Sequence, residues 1–344
     1  MSFLSTPLAP IASDKTTPSF AFFANPKQTP LAEGVARLLN TPLNPIAHKR
    51  FADGELKVNL PPKKDAATAI IVQQVTTHTQ LMTLLLTLQA LKHQGYQNRI
   101  ACVPYLFYTR QDQASDLSGH PLSLVLQLLQ QAGATHLVLL DAHNEAAPLP
   151  RMLKVHYATT TDLFAKNIQK RFTCLADLCV VSPDAGSATR AERLAAALKV
   201  PFVVCAKTRT ACKKGPHLTL QASIPAKRVL LVDDIIDSGH TLQAAAQLLK
   251  ARGVQEVHAY VTHGVLSKKT FFTEALSTVA PPAPTSQTSS ALDTLTLTNT
   301  LAPSLPSFVM SASAFFRPFL DSAAPLAAAI KKSATTQNTR TTAL

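Results

Sequence analysis

The chain has 344 residues, room for two ordinary domains, and its 46% apolar and 15% charged content excludes an intrinsically disordered protein. A formal charge of +13 favours anionic partners, but the basic residues are scattered as pairs (Lys63-Lys64, Lys213-Lys214, Lys268-Lys269, Lys331-Lys332) and Trp is absent. Phosphorylated metabolites therefore suit the chain better than nucleic acid, and no apolar run reaches the roughly 18–20 residues of a membrane span.

Residues 1–18 lack a basic start and a continuous apolar stretch, so they read as an N-terminal extension and not as a secretory signal. From residue 19 the chain alternates β-type apolar runs with helix-period segments. The strands expected are SFAFFAN (19–25), TAIIVQQ (68–74), RIACVPY (99–105), HLVLLDA (136–142), LCVVSPD (178–184), PFVVCA (201–206), RVLLVDD (228–234) and VHAYVTH (257–263). Most are nearly continuous Val, Ile and Leu, as in parallel strands covered on both faces. Helices are expected over 79–94, 121–133, 187–199 and 241–252, the last ending on a basic turn and Gly253. This rhythm predicts an α/β fold with two mainly parallel sheets flanked by helices, over 19–155 and 156–320. The Pro/Ser/Thr-rich STVAPPAPTSQTSS reads as a flexible insertion near 280–290, and LDTLTLTNT (292–300) alternates like an edge strand. Residues 321–344 read as a C-terminal helix and tail, with KKSATTQNTRTTAL disordered.

Five cysteines without a CxxC pair argue against a disulfide framework or zinc site and for the reducing cytoplasm. No two glycines stand two apart and none precedes Lys, so neither GxGxxG nor a P-loop exists. A phosphate would have to be held another way.

VLLVDDIIDSGHTL (229–242) offers one. A turn feeding a helix presents free backbone N–H groups, and Ser238, Gly239, His240 and Thr241 with two hydroxyls could hold one phosphate. Asp233, Asp234 and Asp237 suit sugar hydroxyls or metal-bound water. The ligand implied is a sugar phosphate; the plainer alternative is that Ser238 or Thr241 only caps the helix. Five further segments follow strands or turns. In RFADGELKVNLP (50–61), Phe51, Asp53, Gly54 and Glu55 could stack and accept from a base, or be a polar hairpin turn. PYLFYTRQDQ (104–113) offers Arg110 and Gln111 to phosphate oxygens, or an Arg110–Asp112 surface pair. LLDAHNEA (139–146) sets His143 past a strand, as a metal or phosphate group or a surface residue. VVSPDAGSATRA (180–191) ends a strand with Asp184, and Ala185, Gly186 and Ser187 form a small-residue turn that could cradle a diphosphate. Finally, VVCAKTRTACKKGPH (203–217) points Lys207 and Arg209 the same way, unless it is an ordinary basic loop.

Taken together and in this order, these motifs resemble the ribose-phosphate pyrophosphokinase family. The resemblance implies two similar phosphoribosyltransferase-type domains, with the active site between them completed by an adjacent subunit of a homo-oligomer, often a hexamer. It implies transfer of a diphosphoryl group from MgATP to ribose 5-phosphate in nucleotide biosynthesis, with inorganic phosphate as an activator. Phe51, Asp53, Gly54 and Glu55 would then grip adenine, Arg110, Gln111 and His143 would contact ATP, and His143 and Asp184 would hold Mg²⁺. Asp184 to Ser187 would bind the diphosphate; Arg209, Asp233, Asp234 and Asp237 to Thr241 would bind ribose 5-phosphate; Lys207 and Arg209 would be catalytic. Ser187 and His240 stand where the family has glycine, and a left-handed backbone at either would strain it. Two alternatives stay open: a nucleobase phosphoribosyltransferase, which lacks counterparts of 51–55 and 110–111, and a non-catalytic regulatory relative.

Overall fold

The computed structural model of the chain describes residues 20–25, 29–111, 119–145, 148–208, 217–220, 222–267, 291–301 and 322–335. The N-terminal extension, the 280–290 insertion and residues 336–344 lie outside them.

The first domain runs β1 (Phe20–Ala24), α1 (Thr29–Leu38), β2 (Leu43–Pro45), the hairpin β3 (Ala47–Arg50) and β4 (Leu56–Asn59), then β5 (Thr68–Val72) and α2 (His78–His93). It continues with β6 (Asn98–Val103), α3 (Pro121–Ala132), β7 (His136–Leu140) and β8 (Lys154–Ala158). Six strands form one wholly parallel sheet in the order β2-β1-β5-β6-β7-β8. Along β1 the pleat sends Ala21 and Phe23 into the core on one face and Phe22 and Ala24 into the core on the other, so the apolar run is continuous. Thr77 and Gln80 close a capping box on α2, and α3 starts at Pro121 and stops at Gly133, whose φ of 115° only glycine adopts freely.

The second domain runs α4 (Thr161–Arg171), β9 (Leu178–Ser182), a single 3-10 turn (Ala185–Ser187), α5 (Ala188–Leu198), β10 (Phe202–Thr208) and β11 (His217–Leu220). It ends with β12 (Arg228–Ile236), α6 (His240–Ala251), β13 (Glu256–Gly264) and β14 (Thr294–Leu297). The sheet order is β11-β10-β9-β12-β13-β14, parallel except for the β10–β11 pair. β14 is the edge strand its alternation predicts, yet all four residues are buried: Leu295 and Leu297 join the core, and Thr294 bonds Arg171 and His258.

Three features depart from the sequence reading. β8 runs to Ala158, so the boundary expected at 155 falls inside a strand. The helix α7 (Ala323–Thr335) includes Lys331–Thr335 of the expected disordered tail. It also returns to the first sheet, where Ala323, Leu326, Ala327 and Ile330 pack on Phe22, Ile70 and Val138. Among the described residues no helix is long and apolar enough to cross a membrane.

Candidate functional site

The carboxyl ends of the parallel strands from both sheets meet at one seam. A cavity of about 260 Å³ opens there, lined by Arg110 and His143 from the first domain and by Asp184, Ser187, Asp233, Asp234 and 237–239 with Thr241 from the second. A neighbouring cavity of about 240 Å³ shares His143 and is walled by Asp141, Glu145, Gly186, Arg190 and Arg193.

Polar contacts between the domains fix this seam. His143 Nδ1 lies 2.9 Å from Asp234 Oδ2, Arg110 Nη1 is 3.0 Å from Asp237 Oδ2, and Arg190 Nη2 donates to the Ala142 carbonyl at 3.3 Å. Deeper, Asp141 Oδ2 accepts from the Thr160 N–H at 3.2 Å and from the Thr160 and Thr262 hydroxyls at 2.5 and 2.6 Å. Asp141 turns the chain out of β7 with a φ of 42°, a region aspartate tolerates better than most residues. His263, buried in β13, approaches the Leu140 carbonyl through Nε2 at 2.8 Å; burial holds its imidazole below the usual range, so the neutral ring donates from Nε2.

The adjacent carboxyls of Asp233 and Asp234 are driven apart. Burial pushes Asp233 up to about 8, helped by the Asp234 charge beside it. Burial opposes ionisation of Asp234 too, but the His143 hydrogen bond and the Arg190 charge outweigh it and hold that carboxyl below the usual carboxylate range. Between the ordinary carboxyl value of about 4 and about 8, the folded state keeps a proton on Asp233 that the unfolded chain has lost. Stability of the substrate-free protein therefore falls as pH rises through that window. Asp233→Asn is expected to flatten this fall, measured as thermal midpoints at several pH values; a slope equal to that of the unmodified protein would contradict the assignment.

The turn into α6 resolves two expectations. Gly239 takes the left-handed conformation, φ 76°, while His240 opens the helix and is not among the residues with positive φ. The imidazole therefore carries no backbone strain. The N-cap position falls on Gly239, which has no side chain to cap with, and Ser238 and Thr241 both line the cavity. Ser187 likewise has φ −95°, which any residue adopts.

Other expected roles shift. The Gly186 and Ser187 N–H groups, expected to cradle a diphosphate, donate to the Asp184 carboxylate at 3.0 and 3.3 Å. A short acidic side chain capping a turn satisfies those donors before any ligand arrives. Asp234 was expected to face ribose, but it is 3% exposed and its two oxygens serve His143 and Arg190. Asp237 serves Arg110 with one oxygen and Ser267 with the other, so Arg110 pairs across the seam; Asp112 lies outside the described residues.

Phe51, Asp53, Gly54 and Glu55 form the tip of the β3–β4 hairpin, where Glu55 N–H donates to Asp53 at 3.0 Å and Lys49 sits 5.5 Å over the Phe51 ring. None of them, nor the exposed Gln111, lines either cavity. Lys207 lies at the end of β10 with its side chain outside the described part, and Arg209 lies wholly outside it. Sequence reasoning passed over Arg190 and Asp141. Arg190 follows a small-residue turn by one helical step, a signal that was available; the partners of Asp141 lie 19 and 121 residues away.

Comparison with known proteins adds a second line. Residues 20–133 match the N-terminal domain of ribose phosphate pyrophosphokinase, and residues 157–271 match the phosphoribosyl transferase domain. The ribose-phosphate pyrophosphokinase of Mesorhizobium japonicum is 34% identical over 248 residues, 71% of this chain and 80% of that protein. That of Staphylococcus epidermidis is 32% identical over 254 residues, 72% and 79% of the two chains. The crystal structure of phosphoribosylpyrophosphate synthetase from Mycobacterium smegmatis superposes with a TM-score of 0.74 at 25% identity, covering 92% of this chain and 99% of that one.

Proposed function

The chain belongs to the ribose-phosphate pyrophosphokinase family, and on that premise we propose how its own residues carry the reaction. The reaction moves the β,γ-diphosphoryl group of ATP to the 1-hydroxyl of ribose 5-phosphate, giving 5-phosphoribosyl 1-diphosphate and AMP. The hydroxyl oxygen attacks the β-phosphorus, the bond from that phosphorus to the α,β-bridging oxygen breaks, and the hydroxyl proton is lost. The supporting observation is the seam cavity, where the turn 238–241 and the acidic end of β12 stand side by side.

The 5-phosphate is assigned to the turn of Ser238, Gly239, His240 and Thr241, where the free N–H groups and dipole of α6 favour an anion. Asp233 accepts from ribose hydroxyls, while Asp234 and Asp237 support His143 and Arg110. An ionised Asp234 can only accept, so His143 carries its proton on Nδ1 and presents Nε2, the arrangement of a carboxylate behind a ligating imidazole. Magnesium usually takes one or two carboxylates and completes its shell with water and substrate phosphates. Asp184 and His143 at one cavity fit that demand, and a bound Mg²⁺ would offset charge on the phosphates. Arg110 and Gln111 orient ATP, and Asp184 to Ser187 meet the diphosphate once Asp184 turns from its own loop. Lys207 and Arg209 stabilise charge on the transferring group. The hairpin tip 51–55 is assigned to adenine in a neighbouring subunit of a homo-oligomer, which accounts for its distance from this chain's cavities. We place the division between domains after Ala158, and the protein in the cytoplasm.

The test is AMP release from MgATP with and without ribose 5-phosphate, with inorganic phosphate varied. AMP formed only when ribose 5-phosphate is present is the expected result. Consumption of phosphoribosyl diphosphate with a nucleobase, and no AMP from ATP, would reverse the proposal.

A further inference from the structure

Ser187 occupies an unusual place in the seam. It is 2% exposed, yet its side chain lies between the loop that precedes α5 and the carboxylates at the end of β12. Its hydroxyl donates to Asp233 Oδ1 at 2.5 Å and receives Arg190 Nη1 at 3.4 Å. A hydroxyl has a single proton, so the direction is set: Arg190 donates to Ser187 and Ser187 donates to Asp233. The backbone N–H of Asp234 also donates to Oδ1, at 2.9 Å. Two donors thus converge on one oxygen of Asp233, whose carboxyl also shares a hydrogen bond with that of Asp234. Arg190 is anchored in turn by the Ala142 carbonyl at 3.3 Å and by Asp234 at 3.6 Å, so the serine is held from behind by a group that spans both domains.

Resting on the assignment of Asp233 to the sugar, we infer that Ser187 is a positioning residue for ribose 5-phosphate: by pinning Oδ1 of Asp233, it aims Oδ2 at the sugar hydroxyls. Without the hydroxyl, one of the two donors on Oδ1 is lost and the carboxyl is held less firmly about χ2. The ordering of that carboxylate then falls on substrate binding. The serine hydroxyl thus serves recognition of the acceptor, while the backbone N–H that both replacements keep is the part assigned to the diphosphate.

Two replacements separate this role from bulk. Ser187→Ala removes only the hydroxyl, and Ser187→Gly removes the Cβ as well. Both are expected to raise the KM for ribose 5-phosphate about tenfold, the usual scale for one hydrogen bond to a charged group, and to change the KM for ATP less than about twofold. Calorimetric titration of ribose 5-phosphate without ATP should show the same weakening, and in an Asp233→Asn background Ser187→Ala should add nothing. An unchanged ribose 5-phosphate constant, a stronger one in Ser187→Gly, or an equal loss for ATP would each overturn the inference. Should Ser187→Ala fail to fold, Ser187→Gly carries the same comparison. If the unmodified protein releases no AMP, the proposed reaction fails, while the calorimetric arm still decides the role of Ser187.

Discussion

Lys207→Ala is expected to lower kcat by about 10²–10³-fold while leaving ATP affinity within about twofold, the loss typical of one donor aimed at charge that develops in the transition state. The position of the backbone carries the argument. β10 runs parallel to β9 with Val204 opposite Ser182, so the strand end at Lys207 draws level with the loop that starts at Asp184. On the proposed assignment a cation at this strand end serves the group in transfer, whereas the residues assigned to ATP lie on the first domain and at the β3–β4 hairpin. Turnover by AMP release and ATP affinity by calorimetry check the two halves separately. Near-normal turnover would remove Lys207 from the chemistry, and a matching loss of ATP affinity would make it a ground-state binder.

Asp141→Ala carries the largest expected effect on stability, about 3 kcal/mol, because three buried donors lose their shared acceptor at once. Those donors, from Thr160 and Thr262, tie the end of β7 to β13 of the other domain. The thermal midpoint should drop by roughly 5–10 °C. Asp141→Asn keeps an acceptor oxygen and should recover part of the loss. A midpoint unmoved by the alanine replacement would show that the carboxylate is not the tie between the domains. Since His143 follows two residues later, turnover should fall in step with the slackened seam, and more steeply than ribose 5-phosphate binding.

The parallel strands were legible because both faces of each sheet are covered, so runs such as VLLV and HLVLL carry no polar interruption. β8 was not: KVHYA mixes Lys, His and Tyr because it is the last strand of its sheet. α4, with Lys166, Asn167, Gln169 and Lys170 among its eleven residues, was too polar to stand out. α7 shows a helical stripe in Ala323, Leu326, Ala327 and Ile330, but nothing local says that it lands on a sheet built some two hundred residues earlier. The site divides the same way. Each motif could be picked out after its strand, but the pairings of Asp234 with His143 and Asp237 with Arg110 span 91 and 127 residues. Those pairings engage two carboxylates that the sequence alone offers to the sugar. The serine and histidine at usual glycine positions carry no left-handed strain: Ser187 has a φ of −95°, and Gly239, one residue before His240, takes the left-handed turn there.

The docking of α7 also sets an order on synthesis. All strands of the first sheet have left the ribosome once Ala158 has emerged, but part of the face containing Phe22, Ile70 and Val138 waits for residues 323–330. The whole second domain must be translated in between. The N-terminal half therefore cannot finish folding as it is made, and a nascent chain halted before Ala323 would present an apolar strip to chaperones.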